Sequence, residues 1–178
     1  MVSASASALG RVLGKTPLPF LWIGGRLRHQ PPLLTICQIQ GEMYLRGRSA
    51  RANTPSKGLV AIRLLKQDTL SVEYMKELHS VDSPLEADLM AALFGLRMAQ
   101  KNNEEGVGVE TISLPLLKTL LFDSSTGDSS VRHYKARVLE AAADMDWVGL
   151  RWIPQAANGA SETPPRLQKK RGDGEEMR

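Results

Sequence analysis

The sequence has a single cysteine, Cys37, in 178 residues. No intrachain disulfide can form, and a thiol-reducing compartment suits the chain. No apolar run approaches the roughly 18–20 residues of a membrane helix, so no membrane association is expected. Aromatic residues amount to only 5%, and the three histidines, His29, His79 and His133, stand far apart. Neither they nor Cys37 has the spacing of a zinc site. Acidic residues are missing from residues 1–41, which hold Arg11, Lys15, Arg26 and Arg28. With 23 basic and 19 acidic residues in the whole chain, residues 42–178 carry 19 of each and no net charge. The basic excess belongs to the N-terminal stretch. Any polyanion binding by the remainder must come from local patches and not from a global field.

What is present is ordinary for a globular chain: 42% hydrophobic and 24% charged residues, enough for one domain with tails. Residues 1–32 are Ser/Ala-rich, acid-free and dotted with basic side chains. That is the composition of an organelle transit peptide, or of a disordered leader without an address. The expected location is intracellular, with mitochondrion or plastid as the targeted options. Residues 164–178 open on a proline pair, Pro164-Pro165, and continue in mixed charge with almost nothing apolar, which predicts a disordered tail. A domain over 33–163 remains between them.

Within it, the apolar stretches 33–39 and 58–65 and the segment 69–75 predict three strands, the last two joined by a turn at Gln67-Asp68. The first two flank a polar loop holding Arg46, Arg48 and Arg51. Residues 83–101, SPLEADLMAALFGLRMAQK, give the clearest signal. Ser83 is placed as an N-cap, Pro84 at the first helical position and Glu86 three residues after the cap, a capping box. Leu85, Leu89, Ala92, Leu93 and Leu96 then share one face. Residues 107–112 predict a fourth strand, and Ser113 caps a short helix over 114–122 with Pro115 in its first turn. Val131, Tyr134, Val138 and Ala142 mark another helix, and 147–153 a fifth strand. The order β-β-β-α-β-α-α-β predicts an α/β (mixed α+β) domain. Its five-stranded mixed sheet begins antiparallel, continues parallel and is flanked by helices.

Three stretches in this order resemble the ribonuclease H-like domain (type 1 superfamily) found in plant proteins and plant non-long-terminal-repeat retroelements. SPLEADLMAALFGLRMAQK is similar to that family's serine/proline–Glu–Ala–x–x–Ala helix. VGVETISLPLLKTL resembles its strand reading valine–glutamate–serine–aspartate–serine and the helix after it. WIPQAANGASE resembles its ending, histidine–valine–proline–arginine–glutamate–x–asparagine–x–x–alanine–aspartate. The family's helix after the fifth strand is interrupted here by Pro164-Pro165.

The resemblance implies cleavage of the RNA strand of an RNA–DNA hybrid by two Mg²⁺ ions about 4 Å apart, held by a cluster of four acids. On this chain those positions fall on Gln40 (followed by Gly41), Glu86, Ile112 and Glu162. Glu86 and Glu162 are the catalytic and metal-binding candidates, while Gln40 and Ile112 are vestigial. Glu86 also has a capping role that needs no metal. Glu110 sits about 7 Å back along the strand from Ile112. Trp152 and Gln155 replace the family's histidine and arginine. Two neighbouring cations need several negative ligands, and two here are too few. The expectation is a nucleic-acid-binding domain with degenerate catalysis. An active metal-dependent hybrid endoribonuclease and a protein-interaction scaffold are the alternatives. Hybrid recognition relies on phosphates, 2′-hydroxyls and groove shape, which makes Arg46, Arg48, Arg51, Arg132, Lys135, Arg137 and Asn158 the candidate contacts. Each of the charged ones also reads as an ordinary solvated residue. Trp147 and Trp152, on opposite faces of one strand, suit core packing better than base stacking.

Overall fold

A computed structural model of the chain describes residues 18–44, 56–66, 69–122, 128–160 and 162. Its elements are β1 (Leu21–Gly24), β2 (Thr35–Tyr44), β3 (Lys57–Lys66), β4 (Ser71–Ser80), α1 (Pro84–Lys101), β5 (Gly106–Thr111), α2 (Leu114–Leu121), α3 (Ser129–Ala143) and β6 (Trp147–Trp152). They form one sheet in the order β1-β6-β5-β2-β3-β4. β2, β3 and β4 make an antiparallel meander, while β2, β5 and β6 run parallel. The strand–helix alternation after β4 supplies the crossovers that parallel neighbours require.

Six strands replace the five expected. The additional one, β1, lies in the stretch assigned to a leader and pairs antiparallel with β6, Leu21 opposite Leu150. Four residues behind a pair of prolines carry little strand signal of their own. The open edge of β6 makes the strand, and the Arg26 and Leu27 amides extend the tie to the Met145 and Asp146 carbonyls at 3.0 and 2.8 Å. β2 also outruns its apolar half, because Gln40–Tyr44 continue the ladder against β3 as far as Tyr44 opposite Lys57. Residues 1–17, the tail 163–178, Ser161, the Gln67-Asp68 turn and the loop with Arg46, Arg48 and Arg51 lie outside the described residues.

α1 and α3 pack on one face of the sheet. Cys37, Ile39, Val60, Ile62, Leu64, Val107, Val109, Val148 and Leu150 meet Leu89, Leu93, Leu96, Val138 and Ala142 there. Full burial of each large aliphatic side chain is worth about 1.5–3 kcal/mol. Helix and sheet approach closely at two glycines. A Cβ on Gly95 would lie 2.7 Å from Cys37 Sγ, and one on Gly41 would lie 2.4 Å from the Ala87 carbonyl carbon. Burial, and behind it the Glu110 charge, pushes the Cys37 thiol up to about 12, so it is a packing residue and a poor nucleophile. On the opposite face, Phe20 lies over Gly108 and Gly149 and meets Trp147 edge-on, with centroids 6.2 Å apart.

Candidate functional site

The C-terminal ends of β5 and β6 lie side by side and reach the middle of β2 at Ile39, and the N-termini of α1 and α2 meet the sheet there. The capping motif decides which α1 carboxylate faces this region. Ser83 Oγ accepts the Glu86 amide at 3.1 Å. The Glu86 carboxylate turns back to accept the Asp82 amide at 2.9 Å and the Ser130 hydroxyl of α3 at 3.2 Å. Glu86 thus ties the starts of two helices together. Half a turn on, Asp88 is buried against β2, and its Oδ1 accepts the Gly41 amide at 3.2 Å. Burial pushes the Asp88 carboxyl from 3.8 up to about 6, against hydrogen bonds from Ser113 and Gly41 that hold it down. Ser113 Oγ also caps α2 by accepting the Leu116 amide at 3.2 Å. One side chain joins the end of β2, the turn after β5 and α1. It is Asp88, which the capping pattern masked. The available signal was a lone acid amid Ala87, Leu89, Met90, Ala91 and Ala92.

Two of the other expected positions, Gln40 and Ile112, adjoin the Asp88 partners Gly41 and Ser113 in sequence. Gln40 is buried next to Gly41, and its amide donates to Glu42 Oε1 at 3.0 Å. Ile112 is half-buried just beyond β5, its carbonyl accepting Trp152 Nε1 at 3.0 Å. Glu162 is exposed, with its amide closing a turn onto the Gly159 carbonyl at 3.1 Å. Asn158 is turned inward: Nδ2 donates to the Ile39 carbonyl at 2.9 Å and Oδ1 accepts the Ala160 amide at 2.9 Å. Both ends of its amide therefore serve the fold.

A polar row the sequence did not announce runs beneath this loop, on the sheet face away from α1. Arg63, Gln38, Glu110 and Arg151 stand in register on β3, β2, β5 and β6. Arg151 grips Glu110 Oε2 through Nη2 and through Nε at 2.7 Å. Gln38 Nε2 donates to Glu110 Oε1 at 3.0 Å and to the Ala157 carbonyl at 3.0 Å. Its Oε1 accepts Arg63 Nη1 at 3.1 Å and the Gly159 amide at 2.9 Å. Gly159 lies close on Arg63: a Cβ there would come 2.9 Å from Nη1 and displace the guanidinium. Glu110 is thus neutralised inside the protein and holds the loop down. It is not directed at the Asp88 side of the strand ends.

Two divalent cations demand several oxygen ligands of negative charge. Besides Asp88, the expected positions offer one neutral amide, one isoleucine and one exposed carboxylate. Among the described residues no three of His, Cys, Asp and Glu gather as a metal cage. That donor set does not fit a two-metal centre. Of the basic candidates, Arg132 is exposed near the N-terminus of α3, at the same end as Glu86. Lys135 donates to the Phe122 carbonyl at 3.0 Å, and half-buried Arg137 lines a hollow with Arg97, Glu140 and Asp144.

A meander followed by two parallel strands, with helices over one face and polar groups at the strand ends, has counterparts among solved structures. Ribonuclease H1 from the halophilic archaeon Halobacterium salinarum NRC-1 superposes with a TM-score of 0.57 at 19% identity, over 71% of this chain and 89% of that one. The fold is ribonuclease H-like. The N-terminal RNase H domain of Rv2228c from Mycobacterium tuberculosis, solved as a fusion with maltose-binding protein, gives 0.59 at 14% identity, over 79% and 98%. LC11-RNase H1 in complex with an RNA/DNA hybrid gives 0.56 at 13% identity, over 70% and 88%. Sequence comparison finds no family model that matches this chain and no curated protein that resembles it. At these identities the ribonuclease H-like fold is shared, and function has to be argued from the site.

Proposed function

We propose that the chain is a ribonuclease H-like domain that binds nucleic acid of the RNA–DNA hybrid type and does not perform two-metal hydrolysis. The observation that carries this reading is the donor set around Asp88. Asp88, and not the capping Glu86, is the α1 carboxylate at these strand ends; its carboxyl sits near 6, and Gln40 and Ile112, which adjoin its partners Gly41 and Ser113 in sequence, bring no acid. Glu110, the nearest substitute in sequence, is spent on Arg151. Binding does not need those acids, since hybrid recognition rests on phosphates, 2′-hydroxyls and groove shape. A structural neighbour solved with an RNA/DNA hybrid supports this ligand class, and so does the exposed Arg132 at the site end of α3. The three sequence stretches support a plant or retroelement-type origin. The acid-free N-terminal stretch supports organelle targeting.

Because residues 42–178 carry no net charge, affinity is modest and salt-sensitive. The test is retention of a labelled RNA–DNA hybrid by the full chain on a native gel at low salt. Retention that fades as salt rises is expected, and Arg132→Glu weakens it. A chain that retains no hybrid under these conditions contradicts the reading and leaves the protein-interaction scaffold in its place.

A further inference from the structure

Of the three tryptophans, Trp147 is sealed at 2% exposure, whereas Trp22 on β1 is 42% exposed. Its indole is nonetheless held. Trp22 Nε1 donates to the Leu27 carbonyl at 3.0 Å, which satisfies the one polar atom of the ring and leaves the π-face available. The Arg28 guanidinium stands over that ring, 5.4 Å from its centroid. Arg28 is exposed and makes no ion pair among the described residues. Arg26 beside it is 71% exposed, its only carboxylate neighbour among the described residues being Asp146 at 4.0 Å. No acidic residue occurs anywhere in residues 1–41. An exposed ring on an edge strand, a planar cation above it without a carboxylate partner among the described residues, and a second arginine beside it are elements of a base-stacking platform.

We propose that Trp22 and Arg28 form a clamp for an unpaired base: the guanidinium, now 5.4 Å from the indole centroid, swings outward to admit the base between itself and the ring, with Arg26 near the adjoining phosphate. The clamp sits on the sheet edge formed by β1, and it engages a single-stranded extension of the nucleic acid. The idea rests on the nucleic-acid-binding reading above and adds to it a second contact region and a preference for unpaired ends. The other ligand of an exposed apolar rim, a protein surface, would not require a free guanidinium over the ring.

The test compares the full chain on a blunt RNA–DNA hybrid and on the same hybrid carrying a short single-stranded DNA overhang. Affinity is read by fluorescence anisotropy and stacking by tryptophan emission. The overhang is expected to tighten binding by about 5- to 150-fold, as one stacked base does, and to quench emission. Trp22→Ala collapses the affinity ratio between the two ligands to one, Arg28→Ala reduces it, and Trp22→Phe, which keeps a ring, retains most of it. Thermal melting of each variant separates loss of the clamp from loss of the fold. An overhang that neither tightens binding nor quenches emission, while the blunt hybrid binds, overturns the clamp alone. A chain that binds neither ligand overturns the clamp together with the nucleic-acid reading.

Discussion

Replacing Asp88 by asparagine removes a titrating group from the centre of the site and keeps its shape. Folding lifts the Asp88 carboxyl from 3.8 to about 6 because burial penalises the charged form more than Ser113 and Gly41 stabilise it. Between those two values the folded chain holds a proton that the unfolded chain has released. Stability therefore falls as pH rises through that window and stays low above it. At about 1.4 kcal/mol for each pH unit, ionised Asp88 costs the fold on the order of 3 kcal/mol at neutral pH. Asparagine can still accept the Gly41 amide through Oδ1 and present Nδ2 to Ser113 Oγ. Asp88→Asn should then be more stable than the parent by about 2–3 kcal/mol at pH 8 and equal to it below about pH 4. Urea denaturation at a series of pH values reads this directly. A variant less stable than the parent at pH 8, or two curves that fall in parallel between pH 4 and 6, would refute the placement of a poorly compensated carboxyl at this position.

Glu110→Gln leaves Arg151, only 17% exposed, without its counter-charge. It should cost about 3 kcal/mol by urea denaturation, and a cost near zero would remove the polar row from the fold's support. Gly41→Ala drives a Cβ to 2.4 Å from the Ala87 carbonyl carbon and should destabilise by about 2 kcal/mol or more; an unchanged melting curve would mean that α1 does not press on β2 there. Phe20→Ala should uncover Trp147 and shift its emission to the red at a cost of about 2 kcal/mol, below the full core value because Phe20 is only half-buried. Deletion of residues 1–32, which takes β1 as well, should be worse than Phe20→Ala, and an equally stable truncation would contradict the sixth strand.

The meander, α1 and the two parallel strands were legible because each carries its own period or cap. Ser83, Pro84 and Glu86 announced α1; Ser83 caps it and Pro84 opens it as expected, while the Glu86 carboxylate reaches the Asp82 amide, one residue before the cap. The same signal drew attention from Asp88: capping explains Glu86, and Asp88 looks like a stray acid until β2 is brought against it. β1 was invisible for a different reason, since a strand of four residues exists only by pairing with an edge some 130 positions away in the chain. The row of Arg63, Gln38, Glu110 and Arg151 depends on register between four strands, which no local pattern encodes. Part of the run from Ile153 to Ala160 is fitted to that row. Gly159 lies on Arg63, and Asn158 takes the Ile39 carbonyl just where the parallel pairing of β2 with β5 ends.

The central claim is that this ribonuclease H-like fold holds nucleic acid without cutting it. Labelled RNA–DNA hybrid, incubated with the full chain in Mg²⁺ or Mn²⁺ and resolved on a denaturing gel, tests it most directly. The account predicts intact RNA at protein concentrations that retard the hybrid on a native gel. Metal-dependent cleavage that Asp88→Ala abolishes would contradict it.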